Sequence, residues 1–209
     1  MKKKKNVGLF DWIAPIYGLF YARQRKRFEE VLQRVSKDLD LSVFTTILDV
    51  GCGTGALATV LQKKGLVVTG VDPAVKMLGI AQKKNQSENI TFLQGDVLQG
   101  LPFDDKSFDL AIASYVAHGL EREERALMYA EMSRLATQWV IIYDYNQKRS
   151  LLTSLIEYLE GGDYFHFIKH AEKEMQDCVS ELHTCFSAVD VINVDVRAAW
   201  YLCKPQTKD

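Results

Sequence analysis

The sequence predicts an α/β fold: a doubly wound, mostly parallel sheet of seven strands with helices on both faces and a C-terminal antiparallel hairpin. Three observations carry that prediction. Between Phe44 and Tyr143, short β-branched runs alternate with helical segments. The first such run ends on a glycine-rich turn, Gly51-Cys-Gly-Thr-Gly55, that leads directly into a helix. The region Ala188–Lys204 holds two short apolar runs back to back. Strand–helix alternation calls for parallel strands joined by crossovers, and an antiparallel edge on such a sheet is common.

Each element has its own signal. Phe44–Val50 reads as a buried strand, and Ala56–Lys64 as the helix after it, stopped by Gly65. Leu66–Val71 is a second strand and Ala74–Lys84 a second helix. Ile90–Gln94 is a third strand. Phe108–Ser114 is a fourth, apolar almost throughout, so it is expected to be buried on both faces. Glu121–Leu135 reads as a helix with Leu127, Met128, Met132 and Leu135 on one side. Gln138–Tyr143 is a fifth strand, and Val189–Val194 and Ala198–Cys203 form the hairpin. Leu9–Leu39 reads as two helices rich in Tyr, Phe, Arg and Lys. Arg149–Leu182 is expected to be mainly helical with a break at Gly161-Gly162, and Tyr164-Phe-His-Phe167 beyond it reads as a lid on a glycine hinge or as helix core.

Composition narrows the function classes. The chain has 209 residues, suiting one α/β domain with a small addition. We expect a single domain over 1–209: N-terminal helices 1–40, a cofactor-binding core 41–145, a helical lid or substrate region 146–185, and closing strands 186–204. A net charge of −1 argues against a broad nucleic-acid surface. Lys2–Lys5 reads as a solvated tail. No apolar run approaches the roughly 20 residues of a membrane span. The charges of Lys2–Lys5 are not followed by a signal-peptide apolar stretch, so a cytoplasmic location is expected. The cysteines, Cys52, Cys178, Cys185 and Cys203, form no CxxC pair, and neither a metal site nor a disulfide framework is indicated.

The glycine turn is a ligand-binding device. Glycine takes positive φ and lets a ligand approach the backbone, and ligands of open α/β sheets sit beyond the carboxyl ends of the strands. Asp72 ends the second strand, roughly 20 residues past the first glycine, where a carboxylate accepts hydrogen bonds from both hydroxyls of a ribose. The two features together indicate an adenosine-type ligand. Gly51-x-Gly53-x-x-Ala56 also satisfies a dinucleotide fingerprint, so a nicotinamide oxidoreductase is one alternative. Asp49, two residues before the first glycine, opposes it. An acid there faces a pyrophosphate unfavourably but suits a cationic sulfonium and ammonium.

Six segments, in order, resemble the class I S-adenosylmethionine (SAM)-dependent methyltransferases, especially the small-molecule group that includes the ubiquinone/menaquinone methyltransferases. Ile47-Leu-Asp-Val-Gly-Cys-Gly-Thr-Gly55 resembles the family's first motif, and Val68-Thr-Gly-Val-Asp72-Pro-Ala-Val-Lys-Met77-Leu78 its ribose-holding motif. Phe92-Leu-Gln-Gly-Asp96-Val97 resembles the segment whose acid binds the adenine amino group. Leu101-Pro-Phe-Asp-Asp-Lys-Ser-Phe-Asp109, Val116-Ala-His118-Gly-Leu120 and Phe10-Asp-Trp-Ile-Ala-Pro-Ile-Tyr17 match three further segments. The family's Lys-Pro-Gly-Gly turn before strand five is missing, because Glu131-Met-Ser-Arg-Leu-Ala-Thr-Gln-Trp139 runs almost straight into the strand.

The resemblance implies a Rossmann-like fold, SAM as cofactor and direct methyl transfer to a small-molecule acceptor by a monomer or homodimer. It places Tyr17, Asp49, Gly51, Cys52, Gly53, Gly55, Asp72, Pro73, Met77, Asp96, Val97 and Ser114 at the cofactor. Arg23 or Arg27 are candidates for its carboxylate, or else an exposed basic helix face. Asp109 is expected to be structural, and Asp96 has a helix-capping alternative. His118, Tyr145 and His166 are the candidate catalytic residues, with Tyr143 and Asp144 beside them as possible cavity lining. No Asn-Pro-Pro-Tyr-type motif follows strand four, where Ser114-Tyr-Val-Ala stands. A protein that binds SAM without turnover is the second alternative.

Overall fold

The computed structural model describes residues 3–145, 179–195 and 198–206, with the side chains of residues 3–10, 13 and 15–17 outside the description. Along the chain run α1 (Lys3–Val35), β1 (Thr46–Val50), α2 (Ala56–Lys63), β2 (Val67–Asp72), α3 (Val75–Lys84), β3 (Ile90–Gln94) and β4 (Phe108–Ser114). Then come α4 (Arg122–Leu135), β5 (Ala136–Tyr145), β6 (Ala188–Asn193) and β7 (Ala198–Lys204). Residues 179–185 are helical. The strands form one sheet in the order β3-β2-β1-β4-β5-β7-β6. β1 to β5 are parallel, and β7 inserts antiparallel between β5 and β6. The order reverses between β1 and β4, the switch point where ligands of such sheets bind. No helix among the described residues is long and apolar enough to cross a membrane.

The expected strands and the closing hairpin are all present, shifted at their ends by one or two residues. β4 is buried on both faces through Leu110, Ala111, Ile112 and Ala113, as its continuous apolar run requires. One face of the sheet packs on α4 through Met128, Tyr129, Met132 and Leu135. The other packs on α1 and α2 through Val31, Leu32, Val35, Leu57 and Leu61.

Three expectations are corrected. The N-terminal region is one helix, not two. A single buried stripe, Ala14, Tyr21, Val31, Leu32 and Val35, keeps its phase through Pro15 and Gly18, because α2 and α3 offer it one continuous partner surface. Tertiary packing there outweighs the loss of one helical hydrogen bond at proline. Lys3–Lys5 belong to this helix rather than to an unstructured tail. Leu127 does not face the core; it is 53% exposed, and the buried side of α4 runs through Arg125, Met128, Tyr129, Met132 and Leu135 instead.

The missing turn before β5 has a physical substitute. α4 passes directly into β5 at Ala136, and Lys106 supplies the cap. Its Nζ donates to Ser133 O at 2.8 Å and Ala136 O at 3.0 Å, and its backbone N donates to Arg134 O at 2.9 Å. A lysine head satisfies end-of-helix carbonyls and complements the negative end of the helix dipole. Of the expected lid or substrate region 146–185, residues 146–178, which include Tyr164–Phe167, His166 and Cys178, lie outside the described residues. Among the described residues Cys52, Cys185 and Cys203 are free thiols, the first and last buried.

Candidate functional site

The first glycine turn is built by hydrogen bonding across β1 and β2. Gly51 N and Cys52 N both donate to Val71 O, at 2.8 and 3.1 Å, and Gly55 N closes onto Cys52 O at 2.9 Å. Gly51 has φ +69° and Gly53 φ +53°. A β-carbon at Gly51 would lie 2.6 Å from Val116 Cγ2, so the segment after β4 rests directly on the first glycine. A β-carbon at Gly53 would meet nothing within 4 Å. The turn is therefore open to a ligand at its second glycine and closed by protein at its first.

Asp72 joins the turn to the end of β2. Its Oδ2 accepts Gly53 N at 2.9 Å and its Oδ1 accepts Ala74 N at 2.8 Å. A carboxylate offers about four acceptor positions, so two remain for a diol such as a ribose. Burial raises its pKa above the ordinary range, while the two backbone donors pull it back down. Asp49, in β1, is 1% exposed, and its Oδ2 has no hydrogen-bond partner among the described residues. Burial, with the charge of Asp72 second, pushes its pKa up to about 7. A buried carboxyl left partnerless asks for a donor or a cation. Cys52 packs behind the turn, its thiol against Gly70 and its pKa raised mainly by burial.

The remaining cofactor candidates lie at the ends of β2, β3 and β4 and on α1 and α3. Pro73 follows Asp72 and is half-buried. Met77 is buried in a small cluster with Ala14 and Ala74, so α1 covers it. Asp96 Oδ1 accepts Leu98 N at 3.0 Å, capping the short helical turn Val97–Gln99. Val97 belongs to the core beneath. Ser114 ends β4 with its Oγ buried and without a partner among the described residues. Tyr17 lies within α1, and its side chain is outside the description. Asp109 is structural as expected: its Oδ2 accepts Thr45 N and Thr46 N and ties β4 to the start of β1.

α1 roofs the turn in a way the sequence did not reveal. Asp11 Oδ1 accepts Lys76 N at 2.9 Å in the first turn of α3. Tyr21 OH lies 2.6 Å from Thr59 Oγ1 and 3.0 Å from Asn85 Oδ1. Thr54 of the glycine turn donates to Gln24 Oε1 at 3.4 Å. Asp11, Gly18, Tyr21 and Gln24 share the face with Ala14, and a seven-residue beat (Asp11, Gly18; Ala14, Tyr21) is the signal that marks it.

Beyond β4 and β5 a second group assembles. Asp144 is fully buried; its Oδ2 accepts His118 N at 3.1 Å, and its Oδ1 accepts Tyr145 N at 2.8 Å and lies 2.9 Å from His118 Nδ1. The His118 ring meets Tyr145 at 5.0 Å and Tyr115 at 6.4 Å between centroids. Tyr115 takes a positive φ of 56°, rare for an aromatic residue and a mark of strain held by its surroundings. Two candidates move elsewhere. Tyr143 is core, wedged among Phe28, Tyr115 and Trp200, and burial raises its phenol. Arg27 pairs with Asp195 and bonds to Tyr115, so it does not stand ready for a ligand carboxylate.

The strand order, the switch-point glycine turn and the acid ending β2 define a class I, Rossmann-like nucleoside-binding architecture. Residues 47–138 match the family model of a methyltransferase domain. A methyltransferase of Bacillus cytotoxicus is 32% identical over 132 residues, covering 61% of this chain and 60% of that protein. A demethylmenaquinone methyltransferase of Thermotoga maritima is 33% identical over 135 residues, covering 60% and 55%. The chain thus spans under two thirds of these relatives' length. A solved structure from Methanococcus maripaludis, provisionally described as a SAM-dependent methyltransferase, superposes with a TM-score of 0.73 over 95% of this chain and 94% of its own; at 17% identity that likeness is one of fold.

Proposed function

We propose that the chain transfers a methyl group from SAM to a small-molecule acceptor. The sulfonium supplies an activated methyl carbon, so the protein's task is to bind, align and exclude water. Asp72 would take the ribose diol on its two remaining acceptor positions. Gly51, Cys52, Gly53 and Gly55 would line the nucleoside and methionine backbone, with Pro73, Met77 and Val97 around it. Asp96 keeps one oxygen beyond its capping bond for the adenine amino group. Tyr17 and Ser114 would complete the methionine end.

The observation that carries this reading is Asp49. Its buried oxygen, without a hydrogen-bond partner among the described residues and within the field of Asp72, makes a cation welcome and a pyrophosphate unwelcome, which disfavours the nicotinamide alternative. The name of the Thermotoga relative supports a small-molecule acceptor. Calorimetry is the test. SAM and S-adenosylhomocysteine should bind and NAD should not; binding of NAD alone would overturn the reading. Formation of S-adenosylhomocysteine on turnover separates an enzyme from a protein that only binds SAM.

A further inference from the structure

We propose that the outward face of α1 binds the surface of an anionic phospholipid bilayer, with the helix lying in the plane of the interface. The proposal stands apart from the methyltransferase reading. It concerns where the chain sits, and its test needs no SAM.

The two sides of α1 differ in kind. Ala14 and Tyr21 are buried, and Asp11, Tyr21 and Gln24 bond to α3, α2 and the glycine turn. On the other side Trp12 is 74% exposed and Leu19 82%, with Phe20 next to Leu19 at 49%. Trp12 and Leu19 stand seven residues apart, two turns of helix, so they share one line along the surface. A lone exposed apolar residue is ordinary. Three large ones grouped on one side of a helix mark a contact surface.

The same line runs on into positive charge. Arg23 lies four residues past Leu19 and Lys26 seven past it, and both are exposed. The helix is preceded and begun by Lys2–Lys5. Residues 1–28 hold eight lysines and arginines and one acid, a net charge of +7. With the whole chain at −1, the other 181 residues carry −8. The one acid, Asp11, accepts Lys76 N. Of the two acids that follow, Glu29 faces Arg25 and Lys63, and Glu30 is exposed. An anionic surface attracts the first segment and repels the rest, so it meets the chain at α1.

Apolar and basic groups together select a bilayer. A tryptophan has an apolar body and a polar N–H, which suits the headgroup level. Leucine and phenylalanine reach the acyl boundary, while arginine and lysine extend to the phosphates. A nucleic acid would satisfy Arg23 and Lys26 but gives an aliphatic side chain such as Leu19 little to bury against. A second copy of α1 would bring two charges of +7 together.

The test is flotation of the whole chain with vesicles of phosphatidylcholine containing about one third phosphatidylglycerol, against vesicles of phosphatidylcholine alone. The chain should float with the first and stay behind with the second. Salt at about 0.5 M, where the Debye length is roughly 4 Å, should weaken the binding. Arg23→Gln/Lys26→Gln should lower the partition coefficient about thirtyfold, at about 1 kcal/mol per basic side chain. Trp12→Gln/Leu19→Gln should lower it at least about tenfold. Both variants change exposed side chains, so their melting temperatures should match the wild type. A fluorescence arm holds whatever these variants do. Trp200 is buried and Trp139 lies under Lys204 Nζ, so a blue shift and quenching by bromine-labelled lipid report on Trp12 and should vanish in Trp12→Phe. A wild-type chain that does not float overturns the proposal. Flotation that survives Trp12→Gln/Leu19→Gln overturns it too, because charge alone then explains the attraction, as does equal flotation with neutral vesicles. A chain that ignores vesicles but dimerises through Trp12 and Leu19 in sedimentation velocity gives the face to a second copy. One that binds a short RNA instead gives it to a nucleic acid, and one whose Trp12 is shielded from iodide in solution gives it to another part of the chain. Each of these overturns the proposal and leaves the cofactor reading untouched.

Discussion

Asp49 lies buried in β1 within the field of Asp72, and of the two only Asp72 has its oxygens satisfied by backbone N–H groups from both neighbouring turns. The protein thus holds two acids together at the switch point of its sheet. Two acids held so in a buried place cost stability, and a cation bound beside them would offset that cost.

That cost sets a pH dependence. Asp49 is pushed up to about 7, against an ordinary value near 3.8. Between those values the folded chain holds a proton that the unfolded chain has released. Stability therefore falls as pH rises across that window. Asp72 is raised as well and acts in the same direction. Asp109 and Glu131 are held low by hydrogen bonds from Thr46 and Arg134, so their contribution is present above the ordinary carboxylate range and lost below it. The ligand-free protein should melt at lower temperature at pH 8 than at pH 6. Asp49→Asn should flatten that slope and raise the pH 8 melting temperature. The same change should weaken SAM binding by roughly tenfold or more, the scale of one lost charge-assisted contact of about 1.5–3 kcal/mol. Melting curves and calorimetry on the same two proteins check both arms.

Gly51 and Gly53 should respond differently to one methyl group. Both need positive φ, which costs alanine about 1–2 kcal/mol. Only Gly51→Ala also drives a β-carbon into Val116 Cγ2, at 2.6 Å. It should lose appreciably more stability, part of it recovered by adding Val116→Ala. Gly53→Ala should remain folded with only the backbone cost, yet lose most of its cofactor affinity, because the methyl enters the open approach. Denaturant midpoints and calorimetry on the three variants separate the two effects.

Much of the fold was legible in the sequence because its signals are local. Strand periodicity, Gly51-x-Gly53-x-Gly55 and the acid ending β2 each depend on a few adjacent residues, and the strands appear within a residue or two of expectation. What stayed hidden depends on partners distant in sequence. α1 reads as two helices until α2 and α3 supply its continuous surface. Lys106 gives no hint that it caps a helix some thirty positions on. Asp144 reads as possible cavity lining until His118, 26 residues earlier, turns back onto it. Arg27 reads as a ligand-seeking base until Asp195 meets it from across the sheet. The glycine turn is a local motif, whereas the His118–Asp144 group is assembled by tertiary folding.

The last prediction concerns how α4 is anchored. Arg125 Nε lies 2.8 Å from Glu181 Oε2 and Arg125 Nη2 3.1 Å from Glu181 Oε1, a two-pronged pair with both side chains 7% exposed. Arg125 Nη1 also donates to Leu120 O at 2.7 Å, and Arg122 approaches Glu181 at 3.4 Å from the solvent side. The pair ties the start of α4, and with it the turn after His118, to the helical residues 179–185. Removing one partner breaks the two-pronged pair and leaves the other buried charge with weaker company, a change that typically costs up to about 3–5 kcal/mol. Replacing both with apolar residues of similar volume leaves none, so the loss should be much smaller. Arg125→Met should therefore lower the denaturant midpoint sharply, Glu181→Leu should do the same, and Arg125→Met/Glu181→Leu should recover much of it. A double variant as unstable as the sum of the singles would show that packing around the pair, rather than its charge, holds α4 in place.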